Sequence, residues 1–145
     1  MRRRFLDIQR KGFPYLVATD ETSVDSVILG YAYASTFRGR EGFDNTVEAS
    51  IYVQNGITGK GLGKMLFSEL LSRCTSLGLR QIVSVISTGA ETTESSIELH
   101  KRFGFKHVGT LTGVGYKFNS WVDCLLYQLT LGDGTTSRPT FELGR

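Results

Sequence analysis

The segment VQNGITGKGLGKML, residues 53–66, is the most informative part of the chain because the sequence pattern changes within it. Before it, β-branched and aromatic residues predict strands, and after it apolar residues recur at helical spacing. Gly59, Gly61 and Gly63 occupy alternate positions where this helix should begin, although glycine is costly inside regular structure. A strand, a glycine-rich turn and a helix start predict an anion site, since the first N–H groups of a helix have no intrahelical partner.

The spacing of the glycines and lysines excludes two nucleotide motifs. A P-loop needs GxxxxGK followed by Ser or Thr, whereas Lys60 and Lys64 are followed by Gly61 and Met65. The dinucleotide motif GxGxxG fails because the glycines alternate, and because the preceding strand belongs to an antiparallel meander. The diphosphate of coenzyme A remains open as a ligand, and an ordinary glycine-rich turn capped by Thr58 is the alternative.

The flanking patterns predict a single α/β domain. Its strands are expected to form a mixed sheet that is combined with helices in an α+β arrangement. Helical periodicity predicts a helix from Leu62 to Leu77, stopped by Gly78. A helix that connects two strands of one sheet is a crossover connection, which implies that the two strands are parallel. The other predicted elements are helical turns at 2–11, a helix at 96–103, and strands at 15–19, 26–37, 46–53, 81–87, 107–118 and 121–131, the last two as a hairpin around Asn119-Ser120. The domain is expected to span residues 1–131, with a mobile tail at 132–145.

The composition is that of a globular protein. The chain has 145 residues, of which 40% are hydrophobic and 21% charged, and its net charge of +3 is too small to argue for nucleic acid. That charge suits a small anionic ligand. Cys74 and Cys124 lack CxxC spacing and are expected to be reduced thiols, and His100 and His107 are the only histidines, so no metal site is expected.

The N-terminal residues MRRRFLDIQRKG are basic but lack the apolar core of a secretory signal. Asp7 argues against a mitochondrial presequence, and no apolar run reaches the roughly 18 residues of a membrane span. These patterns predict a cytoplasmic protein with no membrane partner.

The glycine-rich stretch resembles the acetyl-CoA signature of the GNAT acetyltransferases, which is written R/Q-x-x-G-x-G/A. In TGKGLGKMLFSELL, Gly61 and Gly63 match the two glycines, whereas Thr58 stands at the basic or amide position. Lys60 and Lys64 could compensate there by adding positive charge near the diphosphate. The resemblance implies a GNAT-like acyl-CoA N-acyltransferase fold and acetyl-CoA as the co-substrate.

Three further segments resemble the phosphinothricin acetyltransferase subgroup of that family. They are GYAYASTFRGREGFDNTVEASIYV at 30–53, SIELHKRFGF at 96–105 and VGTLTGVGYKFNSWVDCLLYQ at 108–128. The similarity runs from about Gly12 to Leu131 and keeps the family's motif order. Relatives begin with a strand and one or two helices, whereas 11 residues precede Gly12, so the resemblance implies an N-terminally shortened fold.

The resemblance also implies where acetyl-CoA would bind. The strand at 46–53 and the parallel strand at 81–87 are expected to part, so that the pantetheine arm fills the gap like an added strand. The expected cofactor-binding residues are Ile51, Tyr52, Val53, Thr58, Gly59, Lys60, Gly61, Leu62, Gly63, Lys64, Thr93 and Ser96.

Two residues are candidates for proton transfer. Glu48 interrupts the run VEASI, and a carboxylate in a half-buried strand should have a raised pKa, which suits a general base. The pattern alone leaves an outward-facing strand residue as the alternative, and the resemblance places Glu48 on the carboxylate of the subgroup's TVE motif. His100 stands where many GNAT enzymes have a tyrosine that protonates the thiolate, with packing or capping as the alternative.

Acceptor recognition is expected at Tyr33, Phe37 and Arg38, by their position in the subgroup's pattern. An arginine can pair with a carboxylate or phosphinate, although Arg38 could also be a solvated loop charge. Phe118 stands where herbicide-resistance members have a histidine, which leaves other small amino acids open as acceptors.

The leading prediction is an N-acetyltransferase that moves the acetyl group of acetyl-CoA to the primary amine of a small molecule, an amino acid or a phosphinothricin-like compound. The alternative is a non-catalytic relative that binds coenzyme A or dimerises and has an incomplete acceptor site. Protein acetylation and nucleic-acid binding through the Arg2–Arg4 cluster have weaker support. The resemblance makes a homodimer the default assembly.

Overall fold

The computed structural model describes residues 2–22, 24–57 and 59–144, and its elements follow the predicted order. A short 3-10 turn, Glu41–Phe43, lies between the second and third strands. The helices are α1 (Arg2–Arg10), α2 (Leu62–Ser76) and α3 (Thr93–Arg102), and the strands are β1 (Tyr15–Asp20), β2 (Val27–Thr36), β3 (Thr46–Val53), β4 (Gln81–Ser87), β5 (Lys106–Lys117) and β6 (Ser120–Thr130).

The strands form one sheet in the order β1-β2-β3-β4-β6-β5, in which β3 and β4 are parallel and the other neighbours antiparallel. The predicted mixed sheet is thereby confirmed. Helix α3 begins at Thr93, earlier than predicted, with Glu94 in its first turn, where the helix dipole favours an anion.

The β5–β6 hairpin turns one residue earlier than predicted. Phe118 and Asn119 form the turn, with φ values of 53° and 61°, and Lys117 pairs with Ser120. Two positive φ values are what a two-residue hairpin loop requires, and asparagine tolerates this region better than serine. The prediction of a turn around Asn119-Ser120 is therefore wrong by one position.

One face of the sheet, the core face, packs against α2. Side-chain alternation turns Ala32, Ala34 and Ala49 to this face, where all three are buried. The buried residues of α2 are Leu66, Phe67, Leu70, Leu71 and Cys74. Gly30 is required nearby, because a Cβ there would lie 2.7 Å from the main-chain oxygen of Tyr52.

The other side of the sheet carries stacked tyrosine rings and is called the tyrosine face. The ring of Tyr33 lies 5.3 Å from that of Tyr15 and 6.3 Å from that of Tyr31. Glu48 belongs to this face, because it is the neighbour of Ala49, which belongs to the core face, and successive strand residues point to opposite sides.

The C-terminal segment beyond β6 contacts two parts of the domain. The ring of Phe141 stacks on that of Phe13 at 5.8 Å, and Arg80 donates hydrogen bonds to the carbonyl oxygens of Gly134 and Arg138. These contacts favour a docked segment, whereas the sequence predicts a mobile tail. The mobility of residues 132–145 stays a prediction that stability measurements can test.

We expect Phe141→Ala to lower the free energy of unfolding by about 1–2 kcal/mol, because the half-buried ring would no longer cover Phe13. Urea unfolding followed by circular dichroism measures the change. Glu142→Ala is the matched control, since Glu142 is the exposed neighbour. Equal stability of the two variants would show that the tail is undocked in solution.

Candidate active site

The only parallel strand pair of the described sheet opens into a cleft. Thr46–Ala49 pair with Gln81–Ser84, and the pairing between β3 and β4 ends there. Beyond that point β3 stays paired with β2 as far as Val53, and β4 stays paired with β6 as far as Ser87. The strands therefore part with their inner edges free, as the sequence resemblance implies.

The glycine-rich loop exposes its backbone beside this cleft. Gly61 is the N-cap of α2 with a φ of 77°, and no side chain among the described residues caps the helix there. Apart from its chain neighbours, a Cβ added to Gly59 or to Gly61 would meet no atom of the described residues within 4 Å. The loop is thus open to an approaching anion, and the first N–H groups of α2 suit a diphosphate. Thr58 lies outside the described residues, so its predicted contact has no structural account.

Positive charge surrounds the same helix start. Lys60 and Lys64 are exposed, and a shallow depression of 520 Å³ lies along the first turns of α2. Glu69 contributes a carboxylate to the wall of this depression. The carboxylate accepts a hydrogen bond from Arg73 at 2.7 Å, which offsets the negative charge of Glu69. The depression is lined by Gly61, Lys64, Met65, Ser68 and Glu69.

Glu48 lies near the point where the strands part, on the tyrosine face. Its neighbours across the sheet are Ser35 and Val83. Burial raises the pKa of its carboxyl group above the ordinary value. The carboxyl group thus has the environment predicted for a general base.

His100 is buried on α3, with 3% of its surface exposed. Its Nδ1 lies 2.7 Å from the carbonyl oxygen of Ser96, and a carbonyl only accepts, so Nδ1 carries the proton. Burial lowers the pKa of His100, although the bond to Ser96 partly opposes this. The ring is therefore neutral near pH 7 and packs against Phe67 and Phe105.

The other predicted cofactor residues belong to the elements on either side of the cleft. The Oγ1 of Thr93 donates a hydrogen bond to the carbonyl oxygen of Ser87 at 3.0 Å, which ties the start of α3 to the end of β4. Ser96 is half-buried one turn further along α3. On the opposite side, Ile51, Tyr52 and Val53 belong to the part of β3 that β4 does not pair. Contacts of these residues with a cofactor stay predictions.

The predicted acceptor residues gather on the tyrosine face and at the end of β2. Tyr33 is 7% exposed, and its hydroxyl oxygen accepts a hydrogen bond from Arg4 at 3.0 Å. The guanidinium of Arg38 lies 5.4 Å from the ring centroid of Phe37 and 5.8 Å from that of Phe43. Sequence reasoning missed the contact of Arg4, because a basic cluster has no pattern that indicates where α1 docks.

A sheet that parts within its parallel pair, next to an open helix N-terminus, is the arrangement that the sequence resemblance implies for an acyl-coenzyme A transferase. The family model of the acetyltransferase (GNAT) family matches residues 1–105. The chain therefore belongs to this family, and it is an acetyltransferase.

Individual relatives agree with this assignment. A phosphinothricin N-acetyltransferase of Alcaligenes faecalis is 37% identical over 96% of this chain and 68% of its own length. A methionine sulfoximine and methionine sulfone acetyltransferase of Pseudomonas aeruginosa is 42% identical over 90% and 72%. The crystal structure of a phosphinothricin acetyltransferase from Sinorhizobium meliloti in complex with acetyl-CoA has a TM-score of 0.88 and 43% identity, over 99% of this chain and 74% of that one.

Within residues 2–22, 24–57 and 59–144, no helix is long and apolar enough to cross a membrane. The same described ranges contain no group of His, Cys, Asp or Glu side chains that could hold a metal ion.

Proposed function

We propose that this protein transfers the acetyl group of acetyl-CoA to the primary amine of a small molecule that resembles an amino acid. The observation that carries the proposal is the cleft between β3 and β4, which has an open helix N-terminus at one end and Glu48 at the other. The relatives named above act on phosphinothricin and on methionine derivatives, which supports an amino-acid-like acceptor.

The cleft would hold acetyl-CoA by its backbone. The N–H groups between Gly59 and Lys64 would bind the diphosphate, with Lys60 adding charge. The free edge of β3 at Ile51–Val53 would pair with the amides of the pantetheine arm. Bound there, acetyl-CoA supplies an activated acyl group to the tyrosine face.

Glu48 is the proposed general base. An ammonium group has no lone pair, so the acceptor must lose a proton before its nitrogen attacks the thioester carbon. The carboxylate of Glu48 takes that proton, directly or through a water, and its raised pKa makes it a better base near neutrality. The sulfur leaves as the thiolate when the C–S bond breaks.

Tyr33, Phe37 and Arg38 are proposed to bind the acceptor. The guanidinium of Arg38 packs against the rings of both Phe37 and Phe43, which holds it beside the end of β2. A guanidinium held in this way suits the carboxylate of an amino acid. The acceptor's apolar part would then lie near the ring of Tyr33.

His100 was predicted from the sequence as the acid for the thiolate, and this role can be tested separately. We expect His100→Phe to lower kcat by less than about threefold, because the Nδ1 proton is committed to Ser96 and a ring of similar size keeps the packing. A steady-state assay of coenzyme A release measures this. A loss of about 100-fold would instead establish His100 as the proton donor.

An acceptor panel tests the proposed function. Purified protein is incubated with acetyl-CoA and each of the common amino acids, phosphinothricin and methionine sulfoximine, and released thiol is followed with a thiol reagent. We expect turnover with at least one free α-amino acid and none with its N-acetylated form. Binding of acetyl-CoA without turnover on any acceptor would favour the alternative hypothesis, a non-catalytic relative that binds coenzyme A and has an incomplete acceptor site.

We further propose a homodimer in the cytoplasm. Large aromatic side chains are exposed on the β5–β6 hairpin, with Tyr116 61%, Phe118 69% and Trp121 71% exposed, which supports contact with a second copy. Cys74 and Cys124 are free thiols, which supports a reducing compartment. Light scattering of the purified protein tests the dimer.

A further inference from the structure

Ser84 is a buried serine whose hydroxyl has no hydrogen-bond partner among the described residues. It is 2% exposed, and its strand partners Ala49 and Tyr127 place it on the core face. Leaving a buried hydroxyl unpaired costs free energy, so alanine would suit a purely structural role better. The unpaired hydroxyl is therefore available to form a hydrogen bond with a bound ligand.

The position of Ser84 connects it to the cleft. Ser84 is the last residue of β4 that pairs with β3, so it marks the closed end of the gap. The open edge of β3 runs from Ser50 to Val53, about 10 Å at the rise of a strand, and the glycine-rich loop follows Val53. A coenzyme whose diphosphate binds that loop therefore extends its acyl end toward Ser84.

We propose that Ser84 Oγ donates a hydrogen bond to the carbonyl oxygen of the bound thioester. The proposal rests on the proposed function, because it assumes acetyl-CoA in this cleft. It assigns a cofactor contact to a residue that the sequence did not indicate, except as a polar interruption of the apolar run QIVSVIS.

The two faces of the sheet explain how this bond would act. Glu48 lies on the tyrosine face, so the amine adds to the carbonyl carbon from that side. As the C–N bond forms, the π electrons of the C=O bond move to its oxygen, which bends away from the amine toward the core face and Ser84. Ser84 keeps its proton throughout. The C=O bond then re-forms as the C–S bond breaks, sulfur leaves with the electron pair, and the nitrogen releases its second proton to the departing thiolate or to solvent.

A donor in this position would favour the transition state over the ground state. The negative charge on the oxygen is largest when the C–N bond is partly formed, and the hydrogen bond strengthens with that charge. Burial excludes water from the hydroxyl, so the bond acts in a low dielectric.

Thermal unfolding with two ligands tests the proposal. Free coenzyme A has the diphosphate and pantetheine arm but no thioester carbonyl, so the excess Tm gain with acetyl-CoA over coenzyme A reports the carbonyl contact. We expect this excess in the native protein and its loss in Ser84→Ala, together with a kcat/KM lowered by about tenfold or more. Ser84→Cys keeps the side-chain size with a weaker donor, and it should lose most of the excess as well.

Asn45→Ala is the matched control, because Asn45 Oδ1 is the other buried side-chain oxygen without a hydrogen-bond partner among the described residues. Asn45 directly precedes β3, at the end of that strand where β3 is paired with β4. This variant should change Tm but keep the acetyl-CoA excess and kcat/KM. A Ser84→Ala variant that keeps both quantities would overturn the proposal alone. A native protein that shows no Tm gain with either ligand would overturn the coenzyme site as well.

Discussion

Glu48→Gln is expected to lower kcat by about 100-fold or more and to leave the Kd for acetyl-CoA unchanged. Glutamine keeps the shape of the side chain but cannot take the proton of the acceptor amine. The free inner edges of the cleft and the N-terminus of α2 are untouched by the substitution, so cofactor binding should survive. Single-turnover kinetics and isothermal titration measure the two quantities separately.

Glu98→Gln is the matched control, because Glu98 is an exposed carboxylate on α3 with no proposed role in catalysis or binding. It should keep native kcat. A Glu48→Gln variant with native turnover would show that another group accepts the proton, and loss of acetyl-CoA binding in the same variant would show that Glu48 is structural.

The pH profile gives a second signature of Glu48. Only the carboxylate accepts a proton, so native kcat/KM should fall on the acid side of a pKa that lies above the ordinary glutamate value, since burial raises it. The residual activity of Glu48→Gln should lack this acid limb.

The same pKa has a consequence for stability whose sign is opposite to that of most carboxyl groups. A raised pKa in the folded state means that the folded protein binds this proton more tightly than the unfolded chain does. The stabilisation that comes from this tighter proton binding is fully present below the pKa that Glu48 has in the unfolded chain. It is lost as the pH rises through the higher pKa that Glu48 has in the folded protein. Glu48→Gln should accordingly raise Tm at neutral pH, and the gain should shrink in acid.

The strands and helices were predictable because local patterns specify them strongly. The change from alternation to helical spacing after Val53, and the glycine stops after both long helices, have direct physical causes. A polar residue inside an apolar strand run was equally visible at Glu48. The hairpin turn was misplaced because Phe118 carries no turn signal, although its φ is positive.

What the sequence could not specify depends on contacts between distant elements. Nothing local indicates that Arg4 reaches Tyr33, or that Phe141 returns to Phe13. The proton position on His100 also follows from geometry alone, because the carbonyl of Ser96 determines which nitrogen is protonated. Residue types therefore predicted the chemistry, and packing decides which atoms are available for it.

Gly61→Ala is expected to weaken acetyl-CoA binding by about tenfold or more, because the new methyl group would stand where the diphosphate approaches the backbone. Gly12→Ala is a closely matched control. The φ values are 77° for Gly61 and 76° for Gly12, and a Cβ at either position would meet no described residue within 4 Å beyond its chain neighbours. Both variants should therefore lose similar stability, about 1–2 kcal/mol, through strain in the left-handed region.

The difference between these two variants isolates the ligand from the strain. Gly61 caps α2 beside the cleft, whereas Gly12 lies between α1 and β1, so only Gly61→Ala should raise the Kd measured by isothermal titration. Equal affinity in the two variants would mean that the diphosphate does not bind the open N–H groups of this loop. The coenzyme would then enter the cleft from elsewhere, and the placement of its acyl group beside Glu48 would lose its physical basis.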